Sequence, residues 1–162
     1  MALGAYMAVV PERHPPILGS VTQKGRENKI FVIASMHDIV CPRDPASGRP
    51  TGKRVHKPFI AIKEVDRASP LLYALLCENE NIREARIDYW ASTPMGVEQL
   101  RYSVILTNAT ISGVTFKMPN NRIPKFARLP AYEEVALVYQ KITWIWTEGN
   151  VSASDDWETP RF

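Results

Sequence analysis

Residues 43–77 read R-D-P-A-S-G-R-P-T-G-K-R-V-H-K-P-F-I-A-I-K-E-V-D-R-A-S-P-L-L-Y-A-L-L-C. Three kinds of backbone follow one another in this stretch. Pro42 to Lys53 holds three prolines and two glycines in twelve residues, so it cannot continue a central strand, and with Arg54 it is predicted to form an extended basic arm over 42–54. From His56 to Val65, Phe59, Ala61, Lys63 and Val65 alternate with Ile60, Ile62 and Glu64, the period of a strand. Ser69 and Pro70 then open a helix, with Ser69 expected as its N-cap and Pro70 at its first position, where a missing amide costs nothing. Leu71/Leu75 and Leu72/Leu76 repeat at i, i+4 up to Cys77, and E-N-E-N at 78–81 ends the run. Nothing here resembles a catalytic constellation, yet the stretch is too specified for a linker. It reads as a part that fits against other parts.

Outward from this stretch the chain is strands and turns. Tyr6–Val10 is expected as a first strand, followed by a Pro/Gly-rich loop to Glu27 and a long strand over Lys29–Cys41. After the helix come strands at Ile82–Ala91, Glu98–Asn108, Ala109–Met118 and Glu133–Thr147, separated by turns at 92–96 and 119–124. In the last of these, Val135, Leu137 and Tyr139 are placed on one face and Ala136, Val138, Ile142, Trp144 and Trp146 on the other, which suggests burial on both sides or contact with a neighbour. Residues 149–162 form a tail whose Trp157 is a docking candidate. These elements predict a mainly β fold, an antiparallel β-barrel or sandwich with one flanking α-helix, as a single domain over 1–162.

A chain of 162 residues buries roughly 68–70% of its unfolded surface, so it needs no metal or disulfide staple to make a core. With 45% hydrophobic and 23% charged residues it is an ordinary folded composition. The net charge of +3 is mild, and the densest basic cluster, Arg49, Lys53, Arg54, His56 and Lys57, has no aromatic residue before Phe59. That pattern favours a solvated or protein-facing arm over a nucleic-acid site. Cys41 and Cys77 are too few and too far apart for a framework or metal spacing; both are read as reduced, the second on the apolar side of the helix. The N-terminus lacks the basic region of a signal peptide and no run is long enough to span a membrane, so cytoplasmic folding is the expectation, without membrane insertion.

Candidate chemistry is thin. Gly48–Lys53, G-R-P-T-G-K, has three residues between its glycines where a phosphate loop needs four, contains Pro50 and leads into a strand rather than a helix. His14, His37 and His56 are scattered, without ligand-spaced partners. Glu133 and Glu134 are adjacent in a strand and point to opposite faces. Asp155 and Asp156 sit in the tail with no nucleophile pattern beside Ser154. The Asn108–Thr110 and Asn150–Ser152 sequons stand without a secretory signal. The expectation is therefore no catalytic residue, no cofactor and no metal. Long strands in a small β domain do leave edges that must be closed, charged or paired, and a symmetric ring of copies is one solution.

Four blocks in order carry a family resemblance: D-P-A-S-G-R-P-T-G-K-R-V-H-K-P-F at 44–59, S-P-L-L-Y-A-L-L-C at 69–77, M-G-V-E-Q-L-R-Y-S-V-I-L-T-N-A-T-I at 95–111, and Y-Q-K-I-T-W at 139–144 followed by S-D-D-W at 154–157. Together they resemble the Hcp family, the hemolysin-coregulated tube proteins of bacterial type VI secretion, from about Ile17 to Trp157. The resemblance implies a barrel with an outer helix, a homo-hexameric ring with a wide pore, and rings stacked into a tube. It implies a contractile sheath around the tube, a spike protein at its tip, and small effector proteins carried in the pore. The tube would assemble in the cytoplasm and be exported without a signal peptide.

In the family the segment matching 42–54 reaches a neighbouring subunit or ring, so Arg43, Asp44, Arg49, Lys53, Arg54, His56 and Lys57 are the expected interface residues. The cations among them are expected to meet carboxylates of the next copy. The stretch Arg13–Pro16 departs from the family's plain strand-to-glycine turn, and a fused C-terminal toxin domain is not expected, because the chain ends just past S-D-D-W. The alternative reading is a ring-forming or monomeric protein-binding module that builds no tube.

Overall fold

The structure, a computed structural model, describes residues 4–159. The last three residues of the predicted 149–162 tail therefore lie outside the described residues. The apolar run expected as one strand over Lys29–Cys41 is three short strands. β1 (Gly4–Pro11) pairs antiparallel with β2 (Ile30–Val32), Ala5 opposite Val32. A single residue later the same run becomes β3 (Ala34–Met36), then β4 (Ile39–Val40). The arm returns as β5 (Val55–His56) and continues into β6 (Phe59–Glu64), which takes β3 as its partner. The run changes neighbours at Ile33, whose amide donates to the Ile62 carbonyl at 2.8 Å.

That change of neighbour closes the sheet. After α1 (Ser69–Cys77) come β7 (Ile82–Ser92), β8 (Glu98–Lys117), β9 (Tyr132–Trp146) and β10 (Val151–Asp156). The strand order is β2-β1-β7-β8-β9-β6-β3, all antiparallel, with β10 added to β9. Because β2 and β3 are two halves of one segment, the two ends of the order meet. The result is the expected antiparallel barrel with one flanking helix. Met7, Ile30, Ala61, Ile87, Leu106 and Leu137 fill its interior, and Leu72 and Leu75 of α1 pack into the same core.

Two expected strands, Glu98–Asn108 and Ala109–Met118, are one strand of 20 residues. The change between them is real but conformational: Asn108 has φ 50, the left-handed region that asparagine tolerates better than most residues. One such residue switches which alternate side chains face inward, so Val104 and Leu106 are buried before it and Ala109 and Ile111 after it. The switch runs across the sheet along paired rows, Ile82 to Ala109 to Tyr139. On β9 it puts Ile142 into the same core as Val135, Leu137 and Tyr139, correcting its placement on the opposite face. Asn108 Nδ2 donates to Gln140 Oε1 at 3.0 Å across this row.

The helix begins and ends where expected, but its cap differs. Ala68 is the N-cap, without a side-chain bond, and Ser69 and Pro70 are the first two helical residues. Ser69 Oγ is engaged elsewhere: it accepts from Lys63 Nζ at 2.9 Å and donates to Glu133 Oε2 at 2.8 Å. Lys63 is 0% exposed and Glu133 1%, and the ammonium also meets Glu133 at 3.1 Å, Asp66 at 2.9 Å and the Glu64 carbonyl at 2.7 Å. A polar pin thus ties the helix start to β6 and β9. Asn79, at φ 50, ends the helix in a left-handed turn, with Glu80 N donating to Leu75 O at 3.0 Å. Cys77 lies on the exposed side of α1 rather than the apolar one, and Cys41 is exposed too; both are free thiols. Glu133 and Glu134 do face opposite ways, the latter accepting from Lys117 at 2.7 Å.

Candidate assembly interface

The arm is a built ribbon. β4 and β5 pair through Ile39–His56 and Val40–Val55, Arg43 bridges to Pro50, and Thr51 N donates to Pro42 O at 2.9 Å. At its tip Asp44 accepts from the amides of Ala46 and Ser47, both at 3.2 Å, and from the Ser47 hydroxyl, while Gly48 takes φ 70. This is an aspartate-organised turn, for which Asp and Gly are chosen by geometry. The Ser47 hydroxyl and the two amides hold the Asp44 carboxyl below its ordinary range. Arg43 braces the turn by donating to the Gly48 carbonyl at 3.0 Å.

The sequence-predicted interface residues divide into two sets. Arg49 and Lys53 stand on the exposed ribbon, and among the described residues their side chains have neither an ion pair nor a hydrogen bond. Arg54 and His56 are instead drawn together at the root of the arm. Arg54 Nε donates to Asp155, and its NH2 group donates to the Asp156 carbonyl at 2.8 Å and the Thr159 carbonyl at 3.3 Å. His56 Nε2 meets the same Asp155 carboxylate at 2.7 Å. Lys57 lies beside Asp38 at 3.6 Å, both exposed, and its amide donates to the Asp38 carbonyl at 3.0 Å.

Sequence reasoning missed the residues that receive this root. On the edge of β9, β6 pairs up to Leu137 and β10 ends with Asp156 opposite Lys141, which leaves a notch at Tyr139. His37 and His56 both reach the Tyr139 hydroxyl, the latter at 2.9 Å, and the Trp157 indole donates to the Tyr139 carbonyl. Burial, then the charge of Asp155, push the Tyr139 phenol well above its ordinary pKa. An open cleft of about 610 Å³ lies here, lined among others by Lys53, Val55, Val138 and Trp157. His56 and Asp155 are 99 residues apart, a pairing no local motif announces.

β10 pairs with β9 along its length, from Val151 opposite Trp146 to Asp156 opposite Lys141. Apolar side chains also cap both ends of β8: Met95, 93% exposed, and Val97 at the β7–β8 turn, and Phe116, Met118 and Leu129 at the far end. His14, Glu78 and Glu80 come together beside α1, but Arg13 occupies both oxygens of Glu80, through its amide at 2.7 Å and its Nε at 2.9 Å. That carboxylate is already neutralised, and the cluster gives no argument for a metal.

Residues 6–146 match the family described as "Type VI secretion system effector, Hcp". The "Major exported protein" of Pseudomonas aeruginosa is 35% identical over 169 residues, covering 99% of this chain and 98% of that protein. Among solved structures, an Hcp protein superposes with TM-score 0.90 at 25% identity, covering 98% of this chain and 100% of that one. A tryptophan-substituted variant of Hcp1 from E. coli EAEC 042 superposes with TM-score 0.85 at 31% identity, over 96% of this chain and 99% of that one. Fold and relatives agree: the chain belongs to the Hcp family of the type VI secretion system.

Proposed function

We propose that this chain is a tube subunit: six copies close into a ring, rings stack into a tube, and the tube is exported with small effector proteins in its pore. The single observation that carries this reading is the arm. It is internally hydrogen-bonded to its tip, anchored at its root, and yet presents Arg49 and Lys53 with no partner among the described residues. Order of that kind reduces the entropy lost when a contact forms, which is useful only if something binds there. In the tube, Arg49 and Lys53 meet carboxylates of a neighbouring copy, while Arg43 and Asp44 shape the tip and Arg54, His56 and Lys57 hold the root. The apolar caps at opposite ends of β8 support head-to-tail association of identical copies. The spike and the sheath are the further partners of such a tube.

Light scattering behind size exclusion tests the ring. Six copies of the 18.3 kDa chain give a particle of about 110 kDa. A protein that elutes at its single-chain mass at tens of micromolar contradicts the proposal.

A further inference from the structure

The residues at the arm root form one chain of hydrogen bonds: His37 Nε2 to Tyr139 Oη, Tyr139 Oη to His56 Nδ1 at 2.9 Å, and His56 Nε2 to Asp155 Oδ2 at 2.7 Å. Counting protons fixes its direction. A carboxylate only accepts, so His56 Nε2 carries a hydrogen and, in the neutral ring, Nδ1 is a lone pair. Tyr139 must then donate its one proton to His56. Its oxygen is left to accept from His37 Nε2–H. Every proton in the neutral arrangement is used once.

Acid breaks this economy. A second proton on His37 places a cation in a half-buried pocket 5.6 Å, ring to ring, from Tyr139, with His56 and Arg54 beyond. The groups around the chain come from every packed element. Asp38 follows His37 and faces Lys57; Arg54 and His56 come from the arm; Tyr139 and Gln140 come from β9. Asp155, Asp156 and Glu158 come from β10 and its continuation, with Lys53 at the cleft rim. Phe59 packs against His37 and gives a new charge no hydrogen bond.

We propose that His37, Tyr139, His56 and Asp155 form an acid-sensitive latch that holds the arm to the C-terminal strand and releases it in mild acid. The latch stands on its own geometry; only its consequence, weaker stacking in acid, rests on the tube reading. Burial and the neighbouring His56 lower the pKa of His37, against a smaller opposing pull from Asp38. At His37 the closed latch therefore holds a proton less readily than the open one. Opening is favoured as pH falls below the ordinary histidine value of about 6.5, and the stabilisation is fully present above it. For one proton the gain in opening between pH 7.5 and pH 5 is at most about 30-fold.

Hydrogen exchange on the full chain, corrected for intrinsic rates, tests this at pH 7.5 and 5.0. In the wild type, protection of the Lys57 amide and the β4–β5 pair is expected to drop by up to about 30-fold at pH 5. In His37→Gln, which keeps a donor for Tyr139 but cannot titrate, the drop is expected to shrink to a few-fold. Equal protection at both pH values, or equal loss in both proteins, overturns the latch. An NMR titration of His37 in the wild-type chain provides a second measure that needs no variant: a midpoint below 6.5 supports the latch, and one at or above 6.5 sinks it. Particle mass measured on the same samples separates the two ideas. Rings with a pH-indifferent arm root defeat the latch alone, whereas an acid-sensitive root in a protein that never forms rings defeats the tube alone.

Discussion

Replacing Lys63 by methionine should destabilise the fold in a strongly pH-dependent way. Lys63 and Glu133 are shut away from solvent, and among the described residues the ammonium is the only cation on that carboxylate. Without it, the Glu133 carboxyl retains a single donor from the pin, the Ser69 hydroxyl at 2.8 Å. The carboxyl can either stay charged and unpaired, at about 3–5 kcal/mol, or take up a proton. Taking up a proton at pH 7 costs about 3.7 kcal/mol, from the ordinary glutamate value of about 4.3, and this sets a ceiling on the electrostatic loss at Glu133. At pH 5 the same ceiling is only about 1 kcal/mol. The sign follows from linkage: a folded carboxyl whose affinity for protons exceeds its unfolded value loses stability as pH rises. Urea titration of the variant at both pH values, at constant protein concentration, should show most of the loss at pH 7. The matching fall in Tm there is about 7–15 °C. The double variant Lys63→Met/Glu133→Leu should recover most of it. A variant as stable as wild type at pH 7, or one losing equally at pH 5 and 7, refutes the reasoning.

Other perturbations have equally definite outcomes. Gly19→Ala should unfold or severely destabilise the chain by thermal melt, because a Cβ there would collide with the Lys29 carbonyl and lie 2.7 Å from Ile30 Cα, both backbone. Asn108→Val should lower stability by about 1–2 kcal/mol in urea titration, while Asn108→Gly should cost less, because only the β-branched residue resists the left-handed conformation. Arg49→Glu with Lys53→Glu should leave the circular dichroism and Tm of the isolated chain unchanged, since neither side chain has a partner among the described residues. The same pair should abolish tube formation in low salt; sedimentation velocity reads that directly.

Much of the architecture was legible because it is local. The alternation from Phe59 to Glu64 and the proline-opened helix at Ser69–Cys77 declare themselves through period and punctuation. The Pro/Gly content of 42–54 likewise marks the arm. What stayed hidden is what depends on distant partners. The run Ile30–Met36 looks like one strand because nothing in its composition tells β1 from β6, and the choice between them is what closes the barrel. Ser69 satisfies every local rule for an N-cap, yet a buried lysine 6 residues earlier and a glutamate 64 residues later claim its hydroxyl. Asn108 was visible as a break in pattern, but the pattern alone does not separate a turn between strands from one left-handed residue within a strand. His37 and His56 looked scattered because the notch at Tyr139 that gathers them exists only once β6 and β10 share an edge of β9.

The most direct test is an electron micrograph of the purified protein beside a variant lacking Pro45–Gly52. Six-fold rings are expected in both, with short stacked tubes at high concentration only in the intact chain. Circular dichroism should match, because among the described residues the deleted tip makes no hydrogen bond to the barrel. A field of single particles without rings, or tubes that persist without the arm tip, overturns the tube reading.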